Sequence, residues 1–245
     1  IRVVDLSLFL PGPMMTSMLA DHGAEIIKIE PPGGDPARQM EPFEEGQSVW
    51  FRNINRGKQS VVLDLKQKDN LQKLYRLVEE SDIFVEAFRP GVANRLAIDY
   101  ETLSAINPRI IYCSISAFGQ DGPLSQNPAY DQIVQGLSGV MTITGDQKNS
   151  PYRVGYPIAD TIGGLTAAMA VSAAFNNPKG GNYIDVSMLE ATLVTMGWVI
   201  SNYLIGDVIP KAQGNENFTS APSGAFQAKN GLLNINKCSI LKVVD

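Results

Sequence analysis

The chain has 245 residues, a formal net charge of −5 and a pI of about 5.0, so its acidity argues against a general nucleic-acid-binding protein. Hydrophobic residues make up 44% and charged residues 18%, which is a globular composition. One histidine, His22, excludes a histidine-rich metal site, and we predict no metal site. No apolar run reaches membrane-spanning length, no signal peptide is visible, and two cysteines without CxxC spacing are typical of a reduced, cytoplasmic protein.

Strand-like and helix-like patterns alternate along most of the chain. In chain order, strands are predicted at residues 1–6, 25–30, 61–65, 83–86, 109–115 and 182–186. Helices are predicted at residues 14–21, 69–80, 100–106, 130–137 and 160–175, and a further helix opens at Ser187 with a capping box. This alternation predicts an α/β fold: a Rossmann-like, three-layer, mostly parallel sheet that binds ligands at the carboxyl ends of its strands.

The composition changes near residue 206. We predict a large domain at residues 1–205, a linker rich in Pro, Gly and Asn at 206–222, and the truncated start of a small domain at 223–245. The small domain opens with a hairpin that turns at Asn230-Gly231. Because the chain starts inside an apolar run and stops soon after this hairpin, the sequence predicts a fragment or a broken reading frame whose large domain exposes an apolar face.

Asp160 is the candidate reactive residue. It follows Pro157 in the opening turn of a predicted helix, where the helix dipole favours an ionised carboxylate. The small residues Gly163 and Gly164 follow it and leave room for a ligand, and the helix start could supply N–H groups to a developing oxyanion. Such a carboxylate is either a nucleophile that forms an acyl intermediate or a helix cap that only binds backbone N–H groups.

Common phosphate-binding and hydrolase motifs are missing from the sequence. It has no GxGxxG after a strand, no GxxxxGK[ST] and no GxSxG elbow. Dinucleotide-binding, P-loop and serine-hydrolase functions therefore lack their signatures. A ligand at this sheet must be held in another way.

Several short segments occur in a specific order and spacing. They are Val4-Asp5-Leu6 with Pro11-Gly12-Pro13, the run 23–35 (GAEIIKIEPPGGD), Asn55-Arg-Gly-Lys58, the run 86–91 (EAFRPG), the run 106–109 (INPR) and the run 119–123 (GQDGP). Together they make the chain similar to the class III CoA-transferases, the group of formyl-CoA transferase and carnitine CoA-transferase.

The resemblance implies a function for Asp160. The family nucleophile aligns with it, attacks an acyl-CoA thioester and forms a mixed anhydride, after which CoA passes to a second carboxylic acid. The resemblance also implies residues that bind CoA. They lie in the loop after the first predicted strand, after two further strands and beside the reactive end: Leu8, Phe9, Leu10, Pro11, Leu63, Leu65, Lys66, Phe88, Arg89, Arg95, Tyr130 and Asp131.

The same resemblance sets the expected ligands and partners. Coenzyme A and acyl-CoA are substrates, a carboxylic acid is the acceptor, and no cofactor is permanently bound. Family members form interlocked homodimers, and neither nucleic acid nor membrane is an expected partner. Pro31 and Ala87 replace a basic residue and an asparagine of formyl-CoA transferase, which puts formyl-CoA and oxalate specificity in doubt.

Two other functions stay open. The related α-methylacyl-CoA racemases pair a histidine base with an aspartate, but Tyr130 stands at the histidine position, and an ordinary tyrosine is a poor base at neutral pH. The chain could also be an inactive truncated remnant. Size-exclusion chromatography and a CoA titration would separate that remnant from a transferase.

Overall fold

The computed structural model of the chain describes residues 1–177, 180–217 and 222–235. Parts of the predicted linker and small domain, residues 218–221 and 236–245 with Cys238, lie outside the described residues. The strands in chain order are β1 Arg2–Asp5, β2 Glu25–Glu30, β3 Phe43–Glu44, β4 Gln47–Ser48, β5 Lys58–Val62, β6 Ile83–Glu86, β7 Ile111–Ser116, β8 Asn182–Ser187, β9 Gly224–Ala228 and β10 Gly231–Ile235.

Six of these strands form one parallel sheet in the order β5-β2-β1-β6-β7-β8. In its centre, Val4 pairs with Ile27 on one side and with Phe84 on the other. The four central strands β1, β2, β6 and β7 are buried on both faces, which explains their continuous apolar runs, whereas the edge strands β5 and β8 are partly exposed. The predicted α/β fold is confirmed. The predicted bounds of the third strand, 61–65, were wrong. Pairing with β2 places this strand, β5, at Lys58–Val62, so Leu63 and Leu65 lie after it.

Helices cover both faces of the sheet. In chain order they are α1 Pro11–Asp21, α2 Val49–Ile54, α3 Lys68–Glu79, α4 Val92–Arg95, α5 Tyr100–Ile106, α6 Asp131–Ser138, α7 Val140–Ile143, α8 Ile158–Ala174, α9 Met188–Thr195 and α10 Gly197–Gly206, with a 3₁₀ turn at Pro36–Gln39. Met15 and Val171 bring α1 and α8 into one core cluster. Leu74 and Leu103 bring α3 and α5 into a second cluster on the opposite face. The protein is therefore a three-layer structure.

The strand order reverses at β1. The chain leaves β1 toward β2 on one side, whereas β6 lies on the other side and continues toward β7. The loops that follow β1 and β6 consequently diverge and leave a crevice between the carboxyl ends of these two strands. Open α/β sheets bind ligands at such a switch point.

The last helix and the hairpin lie apart from the two large core clusters. Helix α10 has no buried residue, and Leu204 and Ile205 are 70% and 85% exposed. Strands β9 and β10 form the predicted antiparallel hairpin. No single helix in the described ranges has the length and apolar composition to cross a membrane. The consecutive helices α9 and α10 are long and apolar enough only when taken together, and the chain bends by 82° between them.

Candidate active site

Two cavities open at the switch point. The inner cavity, of about 120 Å³, contains Asp160 and Tyr130. The outer cavity, of about 480 Å³, lies beyond the carboxyl ends of β2 and β5. Leu8 from the loop after β1 and Phe88 from the loop after β6 line both cavities. The two cavities thus adjoin at Leu8 and Phe88, and together they are called the groove below.

Asp160 lies in the first turn of α8 and its side chain lines the inner cavity. Pro157 is the N-cap residue of the helix, so Asp160 is not the cap. No group in the described part of the chain donates a hydrogen bond to the Asp160 carboxylate, and no lysine or arginine there lies within ion-pair distance. Burial, and then the negative charge of Asp131, raises the pKa of Asp160 to about 7. This carboxylate is therefore poorly solvated and unpaired.

Asp131 occupies the N-terminus of α8. Its Oδ1 accepts hydrogen bonds from the backbone N–H groups of Ala159 at 2.8 Å and of Asp160 at 3.4 Å, and its Oδ2 accepts from Gln135 at 2.6 Å. The positive end of the helix dipole thus faces Asp131. The prediction that the dipole favours an ionised Asp160 was wrong, because burial raises its pKa and Asp131 both adds a negative charge and binds the N–H groups at the helix start.

Gly163 and Gly164 are packing positions. A Cβ on Gly164 would lie 2.7 Å from the carbonyl oxygen of Pro11, and one on Gly163 would lie 2.8 Å from the Met188 side chain. Both are buried within α8, so their amides belong to the helix. These glycines allow α8 to approach the start of α1 closely, which places Asp160 beside the loop after β1.

Phe9 and Tyr130 form the aromatic wall of the inner cavity. Their rings meet edge to face with centroids 5.9 Å apart. Tyr130 precedes α6 and is 71% exposed, so its ring stands at the cavity mouth. Phe9 has a φ of +62°, an unusual backbone conformation for an aromatic residue.

Ser116 adds a hydrogen-bonding group to the same cavity. It ends β7 and lines the inner cavity, and its buried Oγ has no hydrogen-bond partner among the described residues. A buried hydroxyl without a partner is uncommon in proteins. Its position suits a donor to a bound substrate. The sequence analysis missed Ser116, although the preference for ligands at strand carboxyl ends could have indicated it.

Most of the sequence-predicted residues line the groove. Those on the lining are Leu8 and Phe88 in both cavities, Phe9, Pro11, Arg89, Tyr130 and Asp160 in the inner cavity, and Leu63, Leu65 and Lys66 in the outer one. Leu63 and Leu65 line the outer cavity from the segment that follows the edge strand β5.

Three predicted residues are not on the lining. Leu10 points away from the groove and packs in a separate cluster with Ala37 and Ile54. Arg95 lies exposed at the end of α4, outside both cavities. Asp131 is 7% exposed and binds the N-terminus of α8 instead of facing the groove.

Glu86 supports one wall of the groove from behind. It ends β6 and is 2% exposed, and its Oε2 accepts a hydrogen bond from the Phe88 N–H at 2.7 Å. Burial raises the pKa of Glu86 to about 7. A carboxylate at the carboxyl end of an otherwise apolar strand is the sequence pattern that could have indicated Glu86.

Within the described residues, no cluster of three or more His, Cys, Asp or Glu side chains is arranged to hold a metal ion.

Comparison with known proteins decides the family. The model of CoA-transferase family III matches residues 1–239. The chain belongs to CoA-transferase family III. It is 42% identical over 232 residues to acetyl-CoA:oxalate CoA-transferase of Acetobacter aceti, a match that covers 93% of this chain and 60% of that protein.

Other relatives give the same picture. Succinyl-CoA:glutarate CoA-transferase of Mus musculus is 37% identical, with 95% of this chain and 55% of that protein covered. The crystal structure of a CaiB/BaiF family protein from Brucella suis has a TM-score of 0.89 at 34% identity, with 95% of this chain and 64% of that one covered. The chain therefore spans a little over half the length of the curated relatives that it matches.

Proposed function

We propose that the chain carries the CoA groove and the nucleophile of an acyl-CoA:carboxylate CoA-transferase, and that Asp160 is that nucleophile. The observation that supports this most is the unpaired Asp160 carboxylate at the inner end of a two-cavity groove. A helix cap would bind backbone N–H groups, but Asp131 performs that role here. Family membership and the named relatives support the reaction class.

The groove is suited to an elongated thioester. Leu63, Leu65 and Lys66 line the outer cavity, where the adenosine part of CoA would bind against apolar side chains beside one cation. Leu8 and Phe88 form the passage to the inner cavity, where the thioester would meet Asp160. Tyr130 and Arg89 stand at the inner end and would contact the acyl part or the acceptor.

In the first step, an oxygen of the ionised Asp160 carboxylate forms a bond to the thioester carbonyl carbon. The C–S bond breaks and CoA leaves as a thiolate, so an aspartyl mixed anhydride remains. The thiolate then attacks the aspartyl carbonyl of the anhydride, which releases the donor acid and leaves a CoA thioester on Asp160. The acceptor carboxylate attacks this thioester, forms a second mixed anhydride and expels the thiolate. The thiolate finally attacks the acceptor's carbonyl, which gives the new acyl-CoA and restores the Asp160 carboxylate, so the overall exchange is neutral in redox and in protons. Ser116 has a free hydroxyl on the cavity wall that would donate to the developing oxyanion.

The acceptor is a small carboxylic acid in this proposal. The relatives are named for oxalate, glutarate and mesaconate. The predicted homodimer, the domain boundaries and the cytoplasmic location remain part of the proposal.

The alternative, an isomerase, needs a base on each side of the reacting carbon. His22 does not line the groove: it caps the end of α1, with its Nδ1 2.7 Å from the Met18 carbonyl oxygen.

Trapping of the acyl group tests the proposal. We expect the chain to bind acetyl-CoA or succinyl-CoA and to yield, with hydroxylamine or borohydride, a modification on the peptide that contains Asp160. Asp160→Ala should abolish this modification, and Asp69→Asn on the surface of α3 should leave it unchanged. A modification that persists in Asp160→Ala would overturn the assignment of the nucleophile. A properly folded wild-type chain that binds no CoA thioester would overturn the proposed groove.

A further inference from the structure

A network of buried charges lies beneath the loop after β1. Asp5, Lys28 and Asp35 are each at most 1% exposed, and the Lys58 side chain is equally buried. Lys28 Nζ lies 2.9 Å from Asp35 Oδ2, and Lys58 Nζ lies 3.1 Å from Asp5 Oδ2. Neither pair lines the groove. Buried ion pairs add little net stability compared with apolar residues, so their presence calls for another explanation.

The Lys28–Asp35 pair contacts the backbone of the loop after β1, and Asp35 also caps the 3₁₀ turn Pro36–Gln39. Lys28 Nζ donates to the carbonyl oxygen of Ser7 at 2.8 Å. Asp35 Oδ1 accepts from the N–H of Phe9 at 3.4 Å and from that of Ala37 at 2.9 Å. The pair thus contacts the loop on both sides of Leu8, which lines both cavities.

Phe9 is the residue of this loop whose conformation most needs support. Its φ of +62° lies in the left-handed region that side chains other than glycine rarely adopt. Non-glycine residues remain there only when the surrounding structure holds them. In this conformation the Phe9 ring reaches Tyr130 and lines the inner cavity beside Asp160.

We propose that the buried Lys28–Asp35 pair is a positioning device that holds Phe9 in its left-handed conformation, so that its ring forms the wall of the Asp160 cavity. The proposal rests on the proposed function for its readout in CoA binding. The pair touches no substrate; it acts through Phe9. An apolar pair of the same size would fill the space without holding the loop.

A double-mutant cycle tests this coupling, with acetyl-CoA as the probe. The double variant Lys28→Met/Asp35→Asn removes both charges and leaves no unpaired ion in the core. We expect it to weaken acetyl-CoA binding about ten-fold. Phe9→Gly removes the ring, and glycine adopts a positive φ readily. In that background the double variant should weaken binding by less than about two-fold, because the residue that needs support is gone.

Two further measurements separate positioning from general destabilisation. Val78→Ala, on the buried face of α3, should lower the thermal midpoint without changing the dissociation constant for acetyl-CoA. Hydrogen exchange at the Phe9 amide should speed up at least ten-fold in the double variant. Unchanged Phe9 exchange, or equal losses of binding with and without Phe9, would overturn the positioning role. Faster exchange in a protein that binds no CoA would overturn the proposed function and leave the positioning role standing.

Discussion

The buried carboxylates below the loop after β1 and those at the start of α8 have opposite surroundings. Burial alone would raise the pKa of Asp5, but Lys58 and Lys28 hold it well below its ordinary value. Asp160 lies beside Asp131 without a cation, and its pKa rises to about 7. One aspartate is held in the core by charge and the other is left free in a groove. The difference shows that partners, the cations Lys58 and Lys28 with the hydroxyl donors Ser7 and Thr16, decide more than depth of burial whether a buried carboxylate stays ionised.

Removal of the cation from the structural region should have the largest effect on stability. Lys58→Met leaves the buried Asp5 carboxylate without its nearest cation and removes hydrogen bonds to Pro13 and Asn55. We expect a loss of about 3–5 kcal/mol in the free energy of unfolding at pH 7. Urea denaturation measures it, with Arg56→Met as the control because the Arg56–Asp21 pair is exposed. Equal effects of the two variants would remove the distinction between the regions.

Removal of the charge from the reactive region should stabilise the protein at high pH. The folded pKa of Asp160 lies near 7, above its unfolded value, so the wild type loses stability as the pH rises from about 4 through 7. Asp160→Asn lacks this loss. Its stability relative to wild type should increase by roughly 2–4 kcal/mol between pH 4 and pH 8. Thermal unfolding across this range measures it; a difference that does not change with pH would contradict the raised pKa.

Asp131 should tune the reactive carboxylate by charge. Asp131→Asn keeps a side-chain oxygen for the Ala159 N–H but removes the negative charge next to Asp160. The pKa of Asp160 should fall, so the pH midpoint of acyl trapping should move down by about one pH unit. The measurement is the trapping rate from pH 5 to pH 9. An unchanged midpoint would leave burial as the only cause of the raised pKa.

The smallest expected effects distinguish two cations that the family resemblance assigns to CoA binding. Lys66 lines the outer cavity, whereas Arg95 lies outside both cavities. Lys66→Ala should weaken CoA binding by about three- to ten-fold, as expected for an exposed charge near a phosphate, and Arg95→Ala should leave it unchanged. Calorimetric titration with CoA tests both variants. A larger loss in Arg95→Ala would restore it to the binding site.

The sequence predicted the central strands well because they are buried on both faces and stand out as apolar runs. The runs at residues 25–30 and 83–86 matched β2 and β6 in full. The predicted strand 61–65 begins three residues too late. The apolar residues Val61 and Val62 that suggested it lie at the end of β5, and the start of β5 at Lys58 is defined only by its pairing with β2.

The electrostatics of the site were not predictable from local sequence. The sequence indicates Asp160 as the candidate nucleophile, but its raised pKa depends on burial and on the charge of Asp131, which is 29 residues away and binds the same helix start. The orientation of Leu10 toward Ala37 likewise follows from the left-handed turn at Phe9, which no motif indicates. Side-chain direction in a loop depends on such contacts, whereas strand and helix patterns do not.

The pKa of Asp160 is the most direct test of the claim that an unpaired carboxylate faces the groove. An NMR titration of the aspartate side-chain carbons, with the resonance assigned by its absence in Asp160→Asn, measures it in the intact chain. A titration midpoint near 7 is the expected result. A midpoint at or below 4 would mean that Asp160 has a cation or hydrogen-bond donors as partners, and would contradict the difference between the two regions.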